Sequence, residues 1–425
     1  MLEALDQARP DAMIAVLRPL LAERLQASGI RLLLANYQLT ALRPMQDPDD
    51  REVLRDTPAG QAFITQQPVT RPAPEVGVVV YLPVSIRGDR IGILQLAVPT
   101  APDPVELQEL SRLAGVIAYA MQAAARQTDA LQRAARSQRL TLAAELQWQL
   151  LPGRGCRAPE YELAGHLEPA YHVHADTFDW SQDEDRLVLN VTDAARQRQG
   201  VALLSTLAVT ALRNARRAGL GLADQASLAD QAVYAYHQGR EYLSTLLVGI
   251  DLTTGHASAV LAGSPRLLVL HGRRVHQPDL TDQSPLGMFE GTDYTEEHFT
   301  LATGDRMLMI SDGVHAARSP AREQFGDARL PDLLKSTSTE PVGAVVRAVI
   351  DDLFAHRDLA ELDDDAAVLC LDWTGPGDAA PASTSRPRPI GAPAGPAGGP
   401  PRLTIVPPPD IPHHTHRYFD RRGTT

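Results

Sequence analysis

The sequence predicts an α+β protein built around a sandwich of antiparallel sheets flanked by helices, and three observations carry that prediction. Between residues 154 and 373 the strand-like apolar runs come mostly as hairpins. Helical pairs interrupt them, whereas a doubly wound parallel sheet would alternate single strands with single helices. Four aspartates far apart in the chain, Asp176, Asp193, Asp312 and Asp364, each sit at one end of such a run.

The first hundred residues form a separate α+β pattern, taken here as residues 1–102. An amphipathic stretch over 12–27 leads into the apolar run 31–35, and a short helix is expected around 60–65. A clear hairpin follows. Its strands, 77–86 and 90–98, are joined by Arg87-Gly88-Asp89, where the glycine supplies the positive φ such a turn needs.

Residues 103–153 read as a helical connector. Asp103 can cap it, Pro104 suits the first helical position, and Glu106 completes a capping box. Leu107, Leu110, Leu113, Val116, Ile117, Ala120 and Ala124 form its apolar face, and few breakers occur before Leu151-Pro152-Gly153. The expectation is a helix of more than forty residues, open to pairing as a parallel coil and so to a homodimer.

In the following domain, 154–373, the segment 177–180 and the run 186–192 flank a polar turn, so pairing about that turn brings Asp176 opposite Asp193. Helices are expected over 201–216 and 226–236. A hairpin of 242–250 with 256–261 follows, and then a further pair around Thr303-Gly304-Asp305. The run 306–310 ends at Asp312, and Asp364 opens the run 366–371; laid antiparallel in one sheet, these strands would put all the acids on one edge. Carboxylates gathered without a cysteine or histidine set suit hard divalent cations such as Mg²⁺ or Mn²⁺. Strand ends and turns are naturally rich in aspartate, so Asp179, Asp183, Asp185, Asp363 and Asp365 read as turn or solvent residues.

Residues 374–425 are rich in Pro, Gly, Ala and Ser and too poor in large apolar side chains to form a core, so a disordered tail is expected. Its His413, His414 and His416 read as incidental. The chain's 425 residues, with 44% hydrophobic content, allow two or three domains. With 40 Lys+Arg against 52 Asp+Glu, a formal net charge of −12 argues against nucleic acid as the main ligand. Two cysteines, Cys156 and Cys370, exclude a disulfide framework and suit a reducing cytoplasm. The first ten residues lack a signal-peptide pattern and no apolar run has the length of a bilayer span, so a cytoplasmic location without membrane attachment is expected.

Two resemblances follow from local motifs. Leu82-Pro83-Val84, Gly88 and Ile91-Gly92-Ile93-Leu94-Gln95-Leu96, preceded by Gly60-Gln61-Ala62-Phe63 and Gln67-Pro68-Val69, resemble the central hairpin, helix and turn of a GAF domain. That likeness implies a sensor or dimerisation module, with an unidentified small ligand. Further on, Leu146-Gln147-Trp148-Gln149-Leu150-Leu151-Pro152, Val173-His174-Ala175-Asp176-Thr177-Phe178-Asp179, Thr192-Asp193-Ala194, Ala262-Gly263-Ser264-Pro265, Pro285-Leu286-Gly287, Ser311-Asp312-Gly313-Val314 and Asp364-Asp365 follow one another as in the SpoIIE-like PPM-type serine/threonine phosphatases of bacteria. The chain from 140 to 373 resembles that family. The resemblance implies two Mn²⁺ or Mg²⁺ ions, bridged by Asp193, bound further by Asp312, Asp364 and the backbone carbonyl of Ala194, with Asp176 contributing directly or through water. It also implies hydrolysis by metal-activated water at Asp193 and Asp176, gating by the GAF-like domain through the connector, and a phosphorylated anti-sigma-factor antagonist or similar regulator as substrate.

The chain departs from the family at its glycines. His174-Ala175 stand where the family has Gly-Gly, Thr192 stands where it has Gly, Arg196-Gln197-Arg198 replace its Gly-x-Gly, and Ser264 replaces its His. Such glycines permit positive φ and close backbone approach, so their replacement is expected to reshape or crowd the loop. Two readings follow: Arg196 and Arg198 act as guanidinium clamps on phosphate, or the domain is a degenerate, non-catalytic module that binds a regulator. Action on a small phosphorylated metabolite is a third.

Overall fold

The computed structural model describes residues 12–44, 50–168, 175–194 and 201–376, all within one compact unit. Arg196, Arg198, His174 and the tail beyond residue 376 lie outside the described residues.

The N-terminal domain opens with α1 (Met13–Leu25), β1 (Ser28–Ala35), β2 (Ala41–Pro44) and β3 (Glu52–Val53), then α2 (Pro58–Thr65), β4 (Val69–Ala73), β5 (Gly77–Ile86) and β6 (Asp89–Val98). The strands form a six-stranded antiparallel sheet in the order β3-β2-β1-β6-β5-β4. Alternation along the strands sends Leu32, Leu34, Leu82, Leu94 and Leu96 to one face, where they pack with Leu17 and Leu21 of α1. Leu33, Leu42, Tyr81 and Ile93 take the other face and pack with Phe63 of α2.

The connector differs from its expected single helix. It is divided into α3 (Pro104–Ala124), α4 (Ala130–Ala135) and α5 (Leu142–Leu150). The start of α3 is as expected: Asp103 accepts the Val105 and Glu106 amides at 2.8 and 2.9 Å, and Glu106 reaches back to the Asp103 amide. The breaks come from residues that compete for backbone bonds. Thr128 Oγ1 accepts the Ala130 amide, and extended Thr141 caps α5 by accepting the Ala144 amide, each at 3.1 Å. Leu110, Leu113, Ile117 and Met121 of α3 are buried against the domain's own sheet, so this apolar face is not left for a coil.

The second domain follows with β7 (Gly155–Arg157), β8 (Tyr161–Glu168), β9 (Thr177–Gln182) and β10 (Arg186–Ala194). Next come α6 (Val201–Arg217), α7 (Leu222–His237), β11 (Leu243–Asp251), β12 (His256–Ala262), β13 (Arg266–His271), β14 (Arg274–His276), β15 (Glu297–Thr300) and β16 (Arg306–Ile310). It closes with α8 (Asp312–His315), α9 (Phe325–Ala328), α10 (Leu330–Ser336), α11 (Val342–His356) and β17 (Ala366–Trp373). Two antiparallel sheets face each other, ordered β15-β12-β11-β10-β9 and β14-β13-β16-β17-β8-β7. Leu189, Val191, Val248, Met309 and Leu369 fill the space between them. Outside, α6 and α7 cover the first sheet, while the helices from α8 to α11 cover the second. The strands on either side of Thr303-Gly304-Asp305 are no hairpin: β15 pairs with β12 in one sheet and β16 with β13 and β17 in the other.

The N-terminal domain meets the second domain through its hairpin tip and the loop after β1. Asp89 accepts the Arg154 amide at 2.8 Å, Arg154 donates to the Asn36 carbonyl at 2.9 Å, and Tyr37 lies against Trp148 of α5 with ring centroids 4.4 Å apart. Among the described residues no helix is long and apolar enough to cross a membrane.

Candidate functional site

Thr177 pairs with Thr192 across the β9–β10 hairpin, so Asp176 and Asp193 come side by side as the turn predicts. Asp312 and Asp364 arrive from the other sheet, after β16 and before β17. The acids therefore do not share one sheet edge. They occupy the same end of two facing sheets, which brings them together across the sandwich instead of along it.

Hydrogen bonds knit this end. Asp193 Oδ2 accepts the Ser264 hydroxyl at 2.6 Å and the Asp312 amide at 3.1 Å. Asp176 Oδ1 accepts the Ala194 amide at 3.3 Å, and Asp364 accepts the Asp365 amide at 3.0 Å. Asp365 is fully buried, contrary to its expected solvent position. Its Oδ2 accepts the amides of Ala175 and Asp176 at 2.8 and 3.2 Å and the Gln147 side-chain amide at 3.1 Å, so it anchors the strand that carries Asp176. Gln147 also donates to the Asp176 carbonyl, so α5 of the connector touches the centre itself. Asp179 is likewise buried rather than solvated: Arg213 grips both its oxygens at 2.7 and 3.1 Å, and Arg216 adds a third contact at 3.1 Å.

Backbone geometry shows what the missing glycines change. Ala175, where the family has Gly, keeps a φ of 116°. An L residue rarely adopts that conformation, and bonds from both sides hold it: its amide goes to Asp365 and its carbonyl accepts Ser205 Oγ at 2.7 Å. Thr192 produces no crowding, because it sits in β10 as a buried residue with Thr245 as its cross-strand partner at 3.2 Å between hydroxyls. At Gly313 a side chain is impossible, since a Cβ would fall 1.9 Å from the Asp365 carbonyl oxygen.

Electrostatically the acids are crowded. Burial, and then the neighbouring charges of Asp193, Asp365 and Asp364, raise the Asp176 carboxyl well above the ordinary range. Burial, followed by the charge of Asp312, pushes Asp193 up to about 7. Such a cluster can be relieved by cations or by protons. Among the described residues no group of three or more His, Cys, Asp or Glu could hold a metal ion, and Asp193 Oδ2 already has two donors. As arranged, the side chains do not fit a two-ion centre, although Asp176 Oδ2 and Asp312 Oδ1 are buried without a hydrogen-bond partner. Of the expected residues, Asp176, Asp193, Ala194, Asp312 and Asp364 come to one end of the sandwich. Arg196 and Arg198 lie outside the described residues.

Paired antiparallel sheets, helices on both outer faces and acids at one shared end are the α+β sandwich that the resemblance to PPM-type phosphatases implies. Consistent with that, residues 183–374 match the family model described as Stage II sporulation protein E (SpoIIE). The chain is 25% identical to Protein IcfG of Synechocystis over 148 residues, which are 34% of this chain and 23% of that protein. The chain thus spans about a quarter of the length of this curated relative. Similar solved structures include the RsbU and RsbW domains of a Mycobacterium tuberculosis protein, with 23% identity, TM-score 0.45, and coverage of 51% of this chain and 61% of that one. The phosphatase domain with a regulatory fragment of SpoIIE from Bacillus subtilis has 15% identity, TM-score 0.46 and coverage of 51% and 63%. The SiaA-PP2C domain of Pseudomonas aeruginosa has 20% identity, TM-score 0.47 and coverage of 54% and 94%.

Proposed function

We propose that residues 154–373 are a phosphatase-fold signalling module that binds a phosphorylated regulator of the anti-sigma-factor-antagonist type without dephosphorylating it. The observation that carries this reading is the state of Asp193. One oxygen of the carboxylate that would bridge two ions, Oδ2, instead accepts both the Ser264 hydroxyl and the Asp312 amide. A GAF-like sensor at 1–102 would act on the module through residues 103–153, where Gln147 reaches the acids. A homodimer through this connector would use what the sheet leaves free, around exposed Val105 and Tyr119.

A second reading is favoured by a separate observation. The acids of the family positions are all kept, and Asp176 Oδ2 and Asp312 Oδ1 are buried without partners. Under it the domain is a Mn²⁺- or Mg²⁺-dependent serine/threonine phosphatase. The two are separated by mixing the protein with a phosphorylated antagonist and measuring both complex formation and Mn²⁺-dependent phosphate release, beside Asp193→Asn. Complex without release supports the module; release that disappears in the variant supports the enzyme.

A further inference from the structure

We propose that a groove on the outer face of the β9–β12 and β15 sheet, at the end away from the acids, binds a phosphate-type oxyanion. This site is independent of the acid centre. Helices α6 and α7 cover the outer face over Val188, Leu247, Val260 and Ala262. Beyond them lies an open groove of about 470 Å³.

The sheet register decides which side chains enter it. Arg186 pairs with Asp251 and His256 with Thr300, while the neighbouring row sets Gly249 beside Ser258 and Ser258 beside His298. Residues two apart on a strand share a face, so both rows point into the same groove. Gly249 leaves the floor bare and the guanidinium of Arg186 lies over it; a Cβ there would stand 2.8 Å from Nη2. Asp251, the natural partner of that guanidinium, has turned into its own hairpin. Its Oδ1 accepts the Thr253 amide at 2.8 Å, the Thr253 hydroxyl at 2.6 Å and the Thr254 amide at 3.0 Å. Among the described residues the Arg186 guanidinium makes no hydrogen bond or ion pair, and only its backbone is bonded.

The remaining groups suit an anion. His256 shares Nδ1 with Thr300 Oγ1 at 3.1 Å, which leaves Nε2 to meet a ligand, and His298 lines the same groove with the Ser258 hydroxyl. A guanidinium offers two parallel N–H groups to two oxygens, and an imidazole N–H and the serine hydroxyl add further donors. Asp185 and Asp251 also line the groove, and their negative charge opposes an anion, so the guanidinium and the hydrogen-bond donors must outweigh it. Free phosphate and a phosphate monoester present the same oxygens.

The full chain is titrated calorimetrically with inorganic phosphate and, separately, with O-phosphoserine, while the imidazole resonances of His256 and His298 are followed. Both imidazoles are expected to shift, and Arg186→Gln to weaken binding by about tenfold or more with an unchanged melting curve, the size of a lost hydrogen bond to a charged group. His298→Ala should weaken it in the same direction. Tighter phosphoserine assigns the site to an ester, and tighter phosphate to the free anion. Absence of binding, equal binding by Arg186→Gln, or binding that leaves both imidazoles unmoved overturns the proposal.

Discussion

Ser264 donates its hydroxyl to Asp193 Oδ2 at 2.6 Å, where the resembled family carries a histidine. That bond favours the charged carboxylate and opposes the burial that drives it neutral. Ser264→Ala is expected to raise the Asp193 pKa further and, above pH 7, to destabilise the fold by about 1.5–3 kcal/mol, the range for a hydrogen bond to a charged group. Denaturant melts at pH 5 and pH 8 check this, and the loss should be smaller at pH 5.

The pH profile of stability follows from the same carboxyl. Its folded pKa is raised to about 7 against about 3.9 when unfolded, so the protonated form folds without burying a charge. Stability from this group is complete below pH 4 and is lost as pH rises to about 7, on the order of a few kcal/mol in all. Asp193→Asn should flatten that slope, as measured by unfolding free energies across the window.

Ala175 holds a φ of 116° that glycine adopts freely. Ala175→Gly relieves about 1–3 kcal/mol of backbone strain and gives back about 1 through the looser unfolded chain, so a net gain near 1 kcal/mol is expected. Thermal melts decide the sign, which would be reversed at an unstrained position.

Asp179 is a buried carboxylate held by Arg213 and Arg216. Asp179→Ala strands those guanidinium groups and is expected to destabilise the domain by about 3–5 kcal/mol, a loss equilibrium unfolding would register.

The hairpin logic at Thr177 and Thr192 was sufficient to place Asp176 beside Asp193, because an antiparallel turn fixes its own register. It could not reveal which sheet holds Asp312 and Asp364. That depends on the crossing between β15 and β16, where 301–305 passes from one sheet to the other with only a turn to mark it. The breaks in the connector are hidden in the sequence for a similar reason: alanine-rich composition carries helical propensity through 125–141, while Thr128 and Thr141 act locally on the backbone. Asp179 and Asp365 looked like turn residues because their partners, Arg213 and the Ala175 amide, lie far off in sequence. For Asp365 a clue was present in its adjacency to Asp364: side chains alternate at a strand's start, so the two acids cannot do the same task. Gln147, a polar residue among leucines of α5, offered a similar clue.

The most direct test of the signalling-module reading is phosphate release from a phosphorylated antagonist by the full chain in millimolar Mn²⁺, with complex formation measured in the same samples. The account predicts a stable complex and no more release than from Asp193→Asn. Release from the unaltered chain that vanishes in Asp193→Asn would contradict it and establish the centre as catalytic.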